Sequence, residues 1–174
     1  MKTILETERF LFRELTPDDA DGMFELDADP EVHRYLGNKP IQSREQAIAT
    51  IEFICKQYTD NGIGRWAVED KASGDFLGWA GLKLQQEPIN NHTNYYDLGY
   101  RLLRKHWGKG VAFECAVASL KYGFDVLGVD AIYAAAHVEN IASNKVLTKV
   151  GLTFIETFVY DGMTCNWYGF ERKE

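Results

Sequence analysis

Between Tyr95 and Ala112 the chain holds a cluster of residues whose types and spacing could do chemistry. Gly108 and Gly110 stand one residue apart, with Lys105 and Lys109 beside them and Asp97 upstream. From Val111 to Leu127, Ala, Val, Leu and Phe recur at helical spacing, so the glycines precede a predicted helix. A helix N-terminus leaves four backbone N–H groups unpaired and carries a partial positive charge. Glycines ahead of it let an anion approach those donors, and the lysines add charge. The chemistry this suits is the holding of a phosphate or pyrophosphate. A plain tight turn is the competing reading of the same residues. The glycine spacing is too short for a P-loop, and no Lys-Ser/Thr pair follows Gly110. No third glycine completes a dinucleotide fingerprint.

The elements that must position this cluster follow from patterning. Tyr95 to Leu102 reads as a strand leading into the basic turn. Upstream, Thr7 to Leu15 alternates as a first strand, and Thr16-Pro17-Asp18-Asp19 opens a helix that runs to about Leu26. Asp29 to about Tyr35 is expected to form a second short helix. Ser43, with Gln46 as capping-box partner, begins a third that Asn61-Gly62 ends. Arg65 to Glu69 and Phe76 to Leu84 read as strands joined by a turn over Asp70 to Gly74. After the long helix come a strand over Ala131 to Val138, a short helix from Asn140 to Val150, and a hairpin turning at Asp161-Gly162. The expected fold is α/β of the α+β kind, with a mostly antiparallel sheet of about seven strands flanked by helices. The unit from Tyr95 to Val138 should supply a parallel pair.

The chain has 174 residues, enough for one domain over positions 1–174. Hydrophobic residues make up 45% and charged residues 26%, the range of a globular protein. The net charge of -7 argues against a general nucleic-acid binder and is compatible with a cationic amine as substrate. Cys55, Cys115 and Cys165 are odd in number and lack paired spacing, which argues for a reducing compartment. None forms a metal-ligand pattern with a histidine, so no metal is expected. Neither a signal peptide nor a transmembrane stretch is legible, and a cytoplasmic location without membrane contact is the expectation.

Three stretches resemble the GNAT superfamily of acetyl-CoA-dependent N-acetyltransferases. Leu5 to Leu15 looks like the opening strand of the branch that acetylates ribosomal-protein N-termini. Leu98-Gly99-Tyr100 through Trp107-Gly108-Lys109-Gly110-Val111-Ala112 is similar to the superfamily's pyrophosphate loop. Asn140 to Leu147, followed by Lys149-Val150-Gly151-Leu152, is similar to its Asn-x-x-Ser helix. The resemblance spans nearly the whole chain and implies acetyl-CoA as co-substrate and an amine acceptor, either a protein N-terminus or a small molecule. A homodimer is compatible with it. It also implies that Lys105, Trp107, Gly108, Lys109, Gly110, Val111 and Ala112 surround the pyrophosphate. Tyr100 and Leu102 would offer backbone groups to the pantetheine amides, as an added strand does. Asn140 would hydrogen-bond the same arm, and the N–H near Leu98 would polarise the thioester carbonyl. Two positions depart from the family pattern. Trp107 replaces the usual Gln or Arg of the loop, and Leu147 stands where many relatives carry a tyrosine acid.

Acetyl transfer from a thioester to an amine needs a neutral amine, a stabilised oxyanion and a proton for the departing sulfur. Deprotonating an alkyl amine of pKa about 10.4 at pH 7 costs roughly 4–5 kcal/mol, against about 1 kcal/mol for an N-terminal α-amine. Asp97 is the candidate base, with Glu69 and Glu87 behind it. Ser143 is the candidate acid, since Leu147 has no proton to give. Each also has a plain structural reading: Asp97 as an exposed strand-end acid, Ser143 as a first-turn residue bonding backbone, Asn140 as an N-cap. Leu147 keeps a rival in view, a non-catalytic acyl-CoA-binding or partner-binding module of the same fold.

Overall fold

The computed structural model describes residues 2–172. The chain begins with β1 (Thr3–Glu6) and β2 (Phe10–Arg13), followed by α1 (Ala20–Ala28) and α2 (Arg44–Asn61). Three strands come next: β3 (Trp66–Asp70), β4 (Phe76–Gln85) and β5 (Tyr95–Leu102). Then α3 (Val111–Tyr122), β6 (Ala131–His137), α4 (Ile141–Lys149), β7 (Thr153–Tyr160) and β8 (Met163–Glu171) complete the chain. The strands form one sheet in the order β1-β2-β3-β4-β5-β6-β8-β7. Every neighbouring pair is antiparallel except β5 and β6.

The α+β architecture and the parallel β5–β6 pair are as the patterning predicts. The sheet has eight strands, because Thr3–Glu6 forms a strand ahead of the expected opening strand over Thr7 to Leu15, which itself shortens to Phe10–Arg13. Thr7 donates its N–H to the Phe10 carbonyl at 2.8 Å and closes a turn that folds β1 back onto β2. The expected helix after Asp29 is a run of turns up to Gly37, bonded from Val32 to Asp29 and from Leu36 to His33 rather than in a continuous ladder. The long helix holds α geometry only to Tyr122, and Gly123–Leu127 widens into a π turn.

Local signals explain the elements that matter. Ser43 accepts from Gln46 N–H at 3.4 Å and donates its own N–H to Gln46 Oε1 at 3.2 Å, a reciprocal cap that starts α2. Gly62 ends α2 with φ 71°. Thr16 N–H donates to Asp19 Oδ2 at 2.8 Å, so the chain enters α1 through a single tight turn over Pro17–Asp19. Asp19 also takes both guanidinium ends of buried Arg13, at 2.8 and 2.9 Å.

Strand alternation divides the core into two layers. Phe10, Phe12, Trp66, Val68, Leu82, Leu98, Ile132 and Ala134 face α3 and α4 and pack with Cys115, Leu120 and Leu147. Ala67 and Trp79 face the other way, against Met23, Leu26, Ile51 and Ile54 of α1 and α2.

Candidate active site

The site begins where β5 leaves β6. Leu103 N–H donates to the Leu77 carbonyl at 2.9 Å, which sets the odd-numbered residues of β5 against β4. Leu98, Tyr100 and Leu102 therefore aim their backbone groups at the β6 side. The β5–β6 ladder contains one bridge, Asp97 to Tyr133. Beyond it the even-numbered backbone groups of β5 face a gap between two parallel strands, an unpaired edge suited to an extended ligand with amide groups. Trp107 trims that edge: its indole N–H donates to the Leu102 carbonyl at 2.9 Å, and the ring is 46% exposed. The Leu102 carbonyl is thus already engaged, while Tyr100 lies further up the gap.

At the end of β5 the chain passes through a tight turn over Arg104–His106 into the glycine loop. Gly108 and Gly110 have φ 70° and 75°, backbone that an L side chain seldom adopts. Glu114 N–H is the first to bond back, to the Gly110 carbonyl at 3.1 Å. The N–H groups of Val111, Ala112 and Phe113 are left without an intrahelical acceptor, as at any helix start. Lys109 stays at this loop. Lys105 turns to α1, its Nζ 3.1 Å from Glu25. Arg104 does likewise with Asp29 at 3.1 Å.

The start of α4 closes the other side. Asn140 Oδ1 accepts the Ser143 N–H at 3.2 Å, so Asn140 is the N-cap. The Ser143 hydroxyl lies 2.9 Å from the Tyr100 hydroxyl, joining the site's strand to its helix. Burial pushes the Tyr100 pKa up to about 12, against the opposing pull of the Ser143 bond. Leu147 is 2% exposed and packs in the core, well suited to filling space and unable to donate.

Asn144 anchors this arrangement. It donates to the carbonyls of His137 (2.9 Å) and Asn140 (2.8 Å), and accepts from Asn166 (2.8 Å) and the Tyr168 hydroxyl (2.6 Å). Sequence reasoning places Asn144 inside the Asn-x-x-Ser helix without giving it a role. Its partners on β6 and β8 are distant in sequence, so no local signal marks it. A groove of about 350 Å³ runs along α4, lined by Ile141, Asn144, Lys145, Thr148 and Lys149.

Asp97 sits on the opposite face of β5. It is not an exposed strand-end acid. Its Oδ2 takes Arg65 Nη2 at 2.5 Å, with the two side chains 17% and 8% exposed. Arg65 also donates to the carbonyls of Gly81 and Asp97, both at 2.6 Å. Burial pushes the Arg65 pKa down, and Asp97 is the chief influence opposing it. Gly99 makes room for this pair: a Cβ there would lie 2.6 Å from Arg65 Nη2. Two guanidiniums lie over the Trp79 ring, Arg65 at 5.3 Å and Arg101 at 5.1 Å, and Arg101 pairs with Asp27 at 2.7 Å. Of the two tryptophans on β3 and β4, Trp66 is core and Trp79 borders this polar face.

Glu69 lies away from Asp97, its carboxylate 3.0 Å from Arg13 Nε. Glu87 is exposed at the rim of a cavity of about 380 Å³ between α2 and β4, which Gln57 and Lys83 also line. Burial pushes the Lys83 pKa down, with Arg65 adding to the effect. Burial pushes the thiols of Cys115, Cys165 and Cys55 up, which leaves them poor nucleophiles. Among the described residues, no group of three or more His, Cys, Asp or Glu side chains is placed to hold a metal.

The acetyltransferase (GNAT) domain family matches residues 9–153. The chain belongs to the GNAT acetyltransferase family. The uncharacterized N-acetyltransferase YoaA of Bacillus subtilis is 32% identical over 151 residues, 87% of this chain and 83% of its own. The FsC-acetyl coenzyme A-N(2)-transacetylase of Aspergillus fumigatus is 30% identical over 158 residues, 88% of this chain and 66% of its own. A ribosomal-protein α-N-acetyltransferase solved with coenzyme A shares the fold at TM-score 0.81. It is 16% identical, and the match covers 98% of each chain. This GNAT chain is accordingly a transferase, and the family uses acetyl-CoA. The non-catalytic alternative raised by Leu147 gives way to this family membership, and Leu147 becomes a question of how the thiolate is protonated.

Proposed function

We propose that this GNAT enzyme moves an acetyl group from acetyl-CoA to a primary amine by direct attack, with no covalent enzyme intermediate. The observation that carries the proposal is the widening of β5 from β6 after a single bridge, between two helix N-termini. In this reading the pantetheine arm lies along the Tyr100 edge of β5 and beside Asn140. The pyrophosphate meets the N–H groups from Gly108 to Ala112, with Lys109 near and Lys105 held back by Glu25. Trp107 closes the end of the slot.

Acetyl-CoA is a co-substrate here. The amine adds to the thioester carbonyl, whose oxygen is stabilised by a main-chain N–H near Leu98, on the β6 side of β5 just beyond the Asp97–Tyr133 bridge. Collapse breaks the carbon–sulfur bond and releases the thiolate. In this proposal Ser143 gives that thiolate its hydroxyl proton and the Tyr100 hydroxyl replaces it, a relay supported by the 2.9 Å between the two hydroxyls. The pair would take the part that Leu147 cannot. On the acceptor side Asp97 receives the amine proton, directly or through one water, while its other oxygen stays on Arg65.

The acceptor is a cationic amine in this proposal, either a protein N-terminus or a small molecule, a choice in keeping with the net charge of -7. The branch that acetylates ribosomal-protein N-termini supplies the first alternative through the resemblance of Leu5 to Leu15. The three free cysteines suit a reducing, cytoplasmic compartment. Among the described residues, no helix is long and apolar enough to cross a membrane. Thiol release from acetyl-CoA across a panel of peptide N-termini, polyamines, amino acids and amine-bearing antibiotics tests the proposal. Turnover with at least one amine class is the expected result. Tight CoA binding without thiol release from any amine would overturn it.

A further inference from the structure

The glycine loop is braced by a residue from the far end of the chain. Arg9 stands just ahead of β2, and its Nη1 donates to the Lys109 carbonyl at 3.0 Å across a separation of 100 positions. Its Nε donates to Glu114 Oε2 at 2.7 Å, and its main-chain N–H donates to the other carboxylate oxygen at 3.3 Å. Its third nitrogen, Nη2, lies against the loop: a Cβ added at Gly110 would be 3.6 Å from it. The guanidinium rests on the Phe10 ring at 4.6 Å, and Phe10 is a core residue, so the group is held from below.

Glu114 gives this brace a purpose beyond folding. It lies in the first turn of α3, next to the N–H groups that the pyrophosphate needs. A carboxylate there is favoured by the helix dipole, and for that reason it competes with a phosphate for the same positive end. Burial raises the Glu114 pKa, but hydrogen bonds from Thr7 and Arg9 outweigh it and the net shift is downward. Glu114 is therefore ionised at neutral pH. Left unpaired, it would repel a pyrophosphate at the loop.

We propose that Arg9 is a positioning residue for acetyl-CoA: it neutralises Glu114 and draws the Lys109 carbonyl away, so that the loop presents donors to the pyrophosphate without a competing negative charge. This rests on the acetyl-CoA reading of the loop. Arg9 acts through Glu114 and Lys109, and its loss is felt only by a thioester that carries a pyrophosphate.

The test uses four forms of the full chain: wild type, Arg9→Gln, Glu114→Gln and the double variant. Each is assayed with acetyl-CoA and with acetyl-pantetheine, which lacks the pyrophosphate, and CoA affinity is measured by calorimetry. Arg9→Gln should raise KM for acetyl-CoA about tenfold, the scale of a charge acting at a helix N-terminus, with kcat changed by less than about twofold. Its kcat/KM for acetyl-pantetheine should equal that of wild type. The double variant should recover most of the acetyl-CoA affinity, because the repelling charge has gone with its partner. Arg9→Lys keeps the charge without the fork and should fall between wild type and Arg9→Gln, which covers the case of a Gln variant that folds poorly. Equal losses with both thioesters, or no recovery in the double variant, would overturn the proposal, since a merely structural brace behaves that way. An unchanged KM in Arg9→Gln would overturn it as well. A wild type that bound no CoA would instead refute the acetyl-CoA reading itself, and this inference with it.

Discussion

Asp97→Asn tests the polar face of β5 more sharply than any other substitution, because it keeps shape and removes one charge. The Arg65–Asp97 pair is buried, with 8% and 17% side-chain exposure and a separation of 2.5 Å. Breaking a buried pair by neutralising one partner costs about 3–5 kcal/mol, because the other charge is left uncompensated. Two features place this case at the lower end, about 3 kcal/mol. Arg65 keeps the main-chain carbonyls of Gly81 and residue 97, and the asparagine oxygen can still accept from Nη2. For a domain of this size each kcal/mol moves Tm by roughly 2–4 °C, so the melting temperature should fall by about 6–12 °C at pH 7. Differential scanning calorimetry reads this directly. Adding Arg65→Met to Asp97→Asn should recover part of the loss, since no buried charge remains. The same protein gives a kinetic readout below its melting point. If Asp97 takes the amine proton, the variant's rate should follow the amine's own ionisation and recover at high pH. An ε-amine should suffer more than an α-amine, because more deprotonation is asked of the enzyme. A Tm within about 2 °C of wild type would refute the buried-charge argument. A wild-type pH profile with both amines would refute the base assignment and leave Asp97 as the counter-charge of Arg65.

Four further substitutions have expected outcomes. Gly110→Val places a branched side chain at φ 75° in the loop, and should weaken CoA binding by calorimetry at least tenfold, roughly 1.4 kcal/mol, with the fold retained. Ser143→Ala should lower kcat about 10²-fold with little change in CoA affinity, and Tyr100→Phe should lower it less, since the serine hydroxyl would remain. Asn144→Ala strands the Tyr168 hydroxyl and the Asn166 amide and frees two carbonyls, so urea unfolding should show a loss of about 2–4 kcal/mol.

Much of the fold is legible because its signals are local. The Ser43–Gln46 cap, the Gly62 stop, the Asp161-Gly162 hairpin turn and the bounds of β5 each depend on a few adjacent residues. The parallel β5–β6 pair follows from a strand, a long helix and a strand in succession. β1 is less legible, because Thr3–Glu6 is only four residues long and the Thr7-Glu8-Arg9 turn that joins it to β2 carries no glycine or proline. The π turn after Tyr122 is hidden for a similar reason: Gly123–Leu127 keeps the apolar spacing of the helix before it.

The site divides along the same line. The sequence by itself determined the glycine loop, the capped start of α4 and the absence of a proton donor at Leu147, since each is a property of residue type within one short segment. Only the tertiary structure decided what the polar groups do. It set Asp97 against Arg65, which stands just ahead of β3 and 32 positions away. It brought the Tyr100 hydroxyl to Ser143 across 43 positions and Arg9 to the loop across 100. It also turned Lys105 from the loop towards Glu25. Backbone conformation answers to neighbours in sequence. The partner of a long charged or polar side chain is set by which strands and helices the sheet order brings together, and that order is fixed by the burial of the whole core.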